Sequence, residues 1–350
     1  MKPWIHILAL ASCYNPVSIA AQLQVAHTVN IARHSHTAVR NSTPITIQLP
    51  SIQLSTIEKQ TLKTRMSIPY TAMPMAQELP IAHHLNMHHT PVLDQGMHGS
   101  CVMFAVTGVL NSLLHGGDFI SQLCQLELGS YLAIHDKSPV SGWDGAWADT
   151  TLSHIDKYGV ISKRHQEQSG CADVYQYPID NPNNQGSPMS TAQFTEHSFP
   201  IGNMIEWTPL ITQQDSLYNT HNTPANFVWM IKESLAKGHF ITMGFLIDDN
   251  IPGAGTQGHY KAEYDTWMMT PEIYNDAMRD AISSAHEIII IGYDDSIQVK
   301  DDEGHSNTGV FILRNSWSEE AGDQGNYYMT YDYFSHLVLD AMQYSLKHHG

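Results

Sequence analysis

The chain predicts an α+β fold, and three observations predict it. Apolar residues recur at helical spacing between residues 101 and 158, whereas strand-like apolar runs gather after residue 239. Helices and strands are therefore segregated along the chain rather than alternating, which separates α+β from α/β architectures. The length of 350 residues leaves room for two domains, or for one domain with an appendage.

Composition narrows the class. Hydrophobic residues make up 42% of the chain and charged ones 15%, the balance of a chain that can bury a core. Lys and Arg number 17 against 34 Asp and Glu, and the resulting charge of −17 excludes the basic face that a nucleic-acid partner needs. Protonating all 22 histidines would carry −17 to +5, so mild acid would nearly erase the net charge; surface drift in composition explains the histidines more simply than an acid switch.

At the N-terminus, Lys2 precedes an apolar run over residues 4–11, followed by Asn15-Pro16 and Ser18-Ile19-Ala20. This is the pattern of an export signal cleaved after Ala20, so residues 1–20 are read as a signal peptide. The run is shorter than the roughly 20 apolar residues that span a bilayer, and no later stretch reaches that length. Leu10-Ala11-Ser12-Cys13 is similar to the lipobox of bacterial lipoproteins, which would lipidate Cys13; the short run before it favours the signal peptide. Both readings place the protein outside the cytoplasm, exported or secreted. Of the four cysteines, 13, 101, 124 and 171, three remain after such cleavage, and an odd count points to one free thiol. With Cys101 free, Cys124 and Cys171 are left as a disulfide pair in an oxidising compartment or as two buried thiols.

Residues 21–88 form a module of their own. Strand-like stretches at 23–31 and 44–49 come first. Ser55-Thr56-Ile57-Glu58 has capping-box spacing and opens a short helix to about Arg65. Residues 67–89, rich in Pro, Met, Ala and His, read as an extended strap. A hairpin, a helix and a strap bury too little alone, so the module leans on the larger domain C-terminal to it.

Residues 89–350 form the main domain. Gln95-Gly96-Met97-His98-Gly99-Ser100-Cys101 turns into an apolar stretch, 101–114, that reads as a helix buried on every face. A cysteine in its first turn sits where free backbone N–H groups and the helix dipole favour a thiolate. Residues 120–134 and 149–158 continue as helices, with Leu152 and Ile155 inward. Residues 172–223, rich in Asn, Gln, Ser and Pro, read as a long insertion, either a functional surface loop or a mobile segment. A helix over 226–236 closes at Lys237-Gly238. Strands come next at 239–245, 287–292, 309–314 and 327–331, with Asp301-Asp302-Glu303-Gly304 as a hairpin tip. There is no internal repeat.

Three ordered motifs resemble the papain-like cysteine peptidases. They are Pro91-Val92-x-x-Gln95-Gly96-x-x-Gly99-Ser100-Cys101, His286 opening an apolar strand that ends Gly292-Tyr293, and Asn315-Ser316-Trp317. The resemblance covers roughly the last three quarters of the chain. It implies a two-lobed fold, a helical lobe carrying the central helix and a β-barrel-like lobe, with the active site between them. It implies Cys101 as nucleophile, His286 as proton carrier, Asn315 orienting the imidazole under the shield of Trp317, and the Gln95 amide with the Cys101 N–H as oxyanion hole. Gly99 and Ser100 support the turn.

The chain also departs from the family pattern. His98 stands where a disulfide-forming cysteine is usual, so that disulfide is absent; His98 is left as a surface residue or as positive charge near the sulfur. Val102 replaces a tryptophan, and Ala321-Gly322 replaces a Trp-Gly pair. Glu287 follows the histidine where a small or apolar residue is usual, and strand alternation points its side chain away from the face of His286. Cys101 and His286 are 185 residues apart against the family's ~130 to 150, an excess that the 172–223 insertion explains.

The resulting expectation is an exported, monomeric cysteine endopeptidase made as a zymogen. Its partners are protein or peptide substrates and its own N-terminal segment, the strap lying over the cleft as an inhibitor; no metal or organic cofactor is implied. Two other readings use the same residues, a thiol amidase or acyltransferase on a non-peptide amide and a secreted binding protein that has lost turnover.

Overall fold

The computed structural model describes residues 22–31, 44–72, 79–138 and 140–347. The signal peptide and Cys13 lie outside the described residues. Strands β1 (Gln22–Ile31) and β2 (Ile45–Gln53) pair antiparallel with a register shift between Gln24 and His27. Ser55 and Glu58 close a capping box at the start of α1 (Thr56–Met66), so that two of its four orphan N-terminal donors are satisfied locally. A short strand, β3 (Ala82–His84), ends the strap.

The helices of the main domain come next. All thirteen residues of α2 (Cys101–Leu113) are buried. Around it stand α3 (Gln122–His135), α4 (Ala148–Tyr158), α5 (Lys163–Ser169) and α6 (Thr191–His197), each opened by a serine cap except α4, which has Trp147 there. The segment 172–223 is not the structureless insertion that its composition predicts. It carries α6, the strand β4 (Ile205–Ile211) and a one-turn helix α7 (Gln213–Leu217). Its periodicity is hidden because β4 is an edge strand with only its two ends buried.

Then come α8 (Pro224–Ala236), the fully buried β5 (Phe240–Ile247), the two-residue strands β6 (Gly258–His259) and β7 (Thr266–Trp267), and α9 (Pro271–Met278). The chain ends with β8 (Ser284–Asp301), β9 (Ser306–Arg314), β10 (Asn326–Thr330), α10 (Tyr331–Leu337) and β11 (Val338–Leu346). The sheet runs β4-β11-β5-β8-β6-β7-β10-β9, and β9 also pairs with β8, so that half of it returns on itself. The long strand β8 is the hub, bonded to β2, β3, β5, β6 and β9.

Helix α2 packs directly on β8. Gly108 makes the approach close: a Cβ there would lie 2.9 Å from Ile289 Cδ1. This contact delivers the first residue of α2 to the beginning of β8.

The N-terminal module belongs to the main core. Ile47, Leu49, Ile52, Leu62 and Met66 share one buried cluster with Phe245, Ile288 and Phe334. Arg65 is enclosed there; its Nε and Nη2 donate to the His336 carbonyl at 3.0 and 2.7 Å, Nη1 to Ser216 O at 2.9 Å and Nη2 to Val338 O at 2.9 Å. Burial pulls the guanidinium down to about 9, still charged at neutral pH. The described strap residues run along α10 and the middle of β8, and Leu85 and Met87 pack on the apolar cluster that contains Cys101. His336 Nε2 donates to Ile68 O, Tyr70 stacks edgewise on Tyr331, and Asp295 N donates to Ile81 O. Pairing of β8 with β5 stops at Ile290, and β3 fills the edge that this leaves open at Gly292 to Asp294, opposite β9, which draws the strap that way.

Arg65→Met keeps the length of the side chain but leaves three buried carbonyls without a donor. Urea unfolding should show a loss of about 2–4 kcal/mol. A change below about 0.5 kcal/mol would remove Arg65 as the anchor of the module.

Candidate active site

Cys101 is the first residue of α2 and is 1% exposed. Ser100, at the N-cap, makes no side-chain cap bond, so the backbone N–H groups of the first turn are left free to face the sulfur. The N–H groups of Cys101, Val102 and Glu287 all favour the thiolate, whereas burial, the largest effect, and the Glu287 carboxylate oppose it; the thiol is pushed up to about 12. The Glu287 amide belongs to β8, one residue after His286. Helix and strand are thus joined at the sulfur itself.

His286 is 2% exposed and its Nε2 donates to Asn315 Oδ1 at 2.8 Å. That bond settles the tautomer: the neutral ring carries its hydrogen on Nε2, and the buried Nδ1 has no partner among the described residues. The same Asn315 oxygen accepts the Ser316 N–H at 2.8 Å, which fixes its direction. Trp317, fully buried, covers the ring at 4.6 Å, and Trp267 and Phe245 close the other sides at 6.5 and 5.9 Å. The sequence does not single out Trp267. It lies on a two-residue strand, too short to show a period. Burial pushes the imidazole down to about 4 against the Asn315 bond, which raises it.

Gln95 is fully buried and its amide is held at both ends: Oε1 accepts from Ser316 Oγ and Nε2 donates to His98 O, each at 2.8 Å. One amide hydrogen stays free for an oxyanion. Gly99 lies against the backbone of Trp143 and Asp144. His98 is neither a surface residue nor a positive charge. It is fully buried, its Nε2 donates to Pro178 O at 2.9 Å, it packs on Trp143 at 4.7 Å, and burial lowers its pKa, so it is neutral at pH 7. It joins the turn to residue 178, a tie of the kind that a disulfide would make.

Cys124 and Cys171 are joined by a disulfide with Cα atoms 5.0 Å apart, fastening α3 to the loop after α5; Cys101 is free. The Glu287 side chain turns away from the His286 face toward Asp340 across Gly244, where a Cβ would lie 3.0 and 2.9 Å from their oxygens. Burial pushes Glu287 well up and Asp340 up to about 6. A cavity of about 350 Å³ opens beside Asp340, with Asp149 and Trp207 in its wall.

No protein-family profile and no curated protein sequence matches the chain. Solved structures do. Xylellain, a cysteine protease from Xylella fastidiosa, is similar at 19% identity and a TM-score of 0.49, over 80% of this chain and 92% of that one. Digestive procathepsin L 3 of the Tenebrio molitor larval midgut follows at 16% and 0.46, over 83% and 79%. The proform of the ragweed pollen cysteine protease Amb a 11 shows 11% and 0.44, over 78% and 67%. These neighbours are papain-like cysteine proteases. At such identities and scores the likeness lends nothing to a functional reading, which rests on the geometry above.

Neither group holds a lone charge in this site: the thiolate is opposed up to about pH 12 and the imidazolium down to about 4. Were a proton to pass from sulfur to Nδ1, both charges would arise together and each would offset the other. Alkylation of Cys101 by iodoacetamide should therefore rise through about pH 4, where His286 stops taking its proton from solvent, and stay level above it. In His286→Ala the level region should vanish, with reactivity climbing only at alkaline pH. Matching profiles for the two proteins would show that His286 does not carry the proton.

Proposed function

We propose that the chain is a papain-like cysteine endopeptidase, exported and hydrolysing peptide bonds through an acyl-enzyme on Cys101. The observation that carries it is a histidine whose Nε2 is pinned to Asn315, whose Nδ1 is unpartnered, and whose next residue turns its N–H toward the Cys101 sulfur. In this reading the site lies between a helical lobe, α2 to α6, and a barrel-like lobe built on β8.

Each step is assigned to a named group. His286 Nδ1 takes the Cys101 proton and the thiolate attacks the substrate carbonyl. The oxyanion accepts the free Gln95 amide hydrogen and the Cys101 N–H. His286 returns the proton to the leaving amine as the C–N bond breaks, leaving a thioester. It then takes a proton from water, whose oxygen attacks the thioester; the carboxylic product leaves and the thiol is restored.

The reading keeps export by residues 1–20 and synthesis as a zymogen, with one amendment. Residues 44–68 are anchored in the core through Arg65 and Leu62, so trimming between Ser67 and His89 would nick the chain without releasing the module. Among the described residues no helix is long and apolar enough to cross a membrane.

The test is hydrolysis of casein under reductant by protein lacking residues 1–20. Wild type should cleave, Cys101→Ala and His286→Ala should not, and Gln95→Ala should lose roughly 10²–10³ in kcat. Cleavage by Cys101→Ala at the wild-type rate would refute the reading, as would a wild type that is inert at full length and after trimming and whose Cys101 iodoacetamide does not alkylate at neutral pH.

A further inference from the structure

The two oxyanion donors assigned above sit at opposite ends of one turn, Gln95 at its start and Cys101 at its end. A three-residue segment about eighty positions away holds that turn. Tyr177 OH donates to Gln95 O at 2.8 Å. A carbonyl only accepts, so the single phenolic hydrogen is spent there, and the 2.8 Å contact with Ser100 Oγ must run from the serine to the tyrosine oxygen. One hydroxyl therefore ties residue 95 to the residue preceding Cys101.

The rest of the segment acts on the residues between. Pro178 O accepts from His98 Nε2, and Ile179 O accepts from Met97 N at 2.8 Å. Gly96, at φ +55°, lies so close that a Cβ would come within 2.3 Å of Ile179 O. The Tyr177 ring is held by Trp143, stacked at 5.6 Å, and by the edge of Phe104 at 5.1 Å. A turn rich in glycine has no rigidity of its own; here a packed aromatic supplies it.

We propose that Tyr177 is a positioning residue for the oxyanion hole, and that residues 177–179 clamp the Gln95–Cys101 turn so that its two donors converge on one oxygen. This rests on the peptidase reading. None of these bonds reaches the sulfur, so the clamp acts on the step that makes an oxyanion and not on ground-state binding or on thiolate formation.

The test uses Tyr177→Phe, which keeps the ring, in protein lacking residues 1–20. With a peptide amide substrate, kcat should fall about tenfold with KM unchanged, less than the full loss of a donor. A peptide aldehyde, whose hemithioacetal places an oxyanion in the hole, should bind about tenfold more weakly. Iodoacetamide, which forms no oxyanion, should alkylate Cys101 at the wild-type rate. Ser100→Ala should show a smaller kcat loss, and should add little to Tyr177→Phe; it also serves if Tyr177→Phe melts early. Unchanged kcat in both variants would overturn the clamp, and so would alkylation falling in step with kcat, which marks a merely structural residue. A wild type that neither turns over the amide nor is alkylated at Cys101 would instead remove the peptidase reading, and the clamp with it.

Discussion

The contact on which the rest depends is the one between the Glu287 N–H and the Cys101 sulfur. It joins the first residue of a wholly buried helix to the start of the strand that bonds to five others. Gly108 permits the closeness, and the apolar surface of α2, from Val102 to Leu113, holds it. Everything chemical is then a matter of neighbours in sequence: His286 precedes Glu287, and the Cys101 N–H begins the helix. Rigidity comes from burying the junction, while the Cys124–Cys171 disulfide lies elsewhere.

That junction also creates the site's electrostatic problem. Burial opposes a lone thiolate and a lone imidazolium alike, while Asn315 and three N–H groups are too few to reverse it. Only the paired charges suit so dry a place. The aromatic wall of Trp317, Trp267 and Phe245 keeps the His286–Asn315 bond from water, which sharpens the same requirement. The N-terminal segment contributes at a distance, through Arg65 and the carbonyls of α10 and β11, to the sheet that carries His286.

The local part of this architecture is legible in the sequence. Cys101, His286, Asn315 and Gln95 stand in motifs whose spacing is set by short-range geometry, and the capping box at Ser55 and Glu58 is a four-residue signal. Helices α2, α3, α4 and α8 declare themselves by period, within a residue or two of their observed ends. Hidden from the sequence is whatever depends on partners far along the chain. Strand β11 leaves no mark in the pattern and β8 shows only six of its eighteen residues, because their burial is set by flanking strands and not by alternation. His98 gives no sign of burial, since its partners Trp143 and Pro178 are 45 and 80 residues away. Tyr177 lies in a stretch that composition marks as irregular, and its hydroxyl has meaning only beside Gln95 and Ser100.

A covalent intermediate at Cys101 is the central claim. The direct measurement is acid quenching of the protein during turnover of a peptide ester, followed by intact-mass analysis and mapping of the modified peptide. The predicted result is a transient mass gain equal to the acyl group, lost on longer incubation and located on the peptide containing Cys101. Turnover with no mass gain under conditions where deacylation is slow, or an acyl group on any other residue, would contradict it.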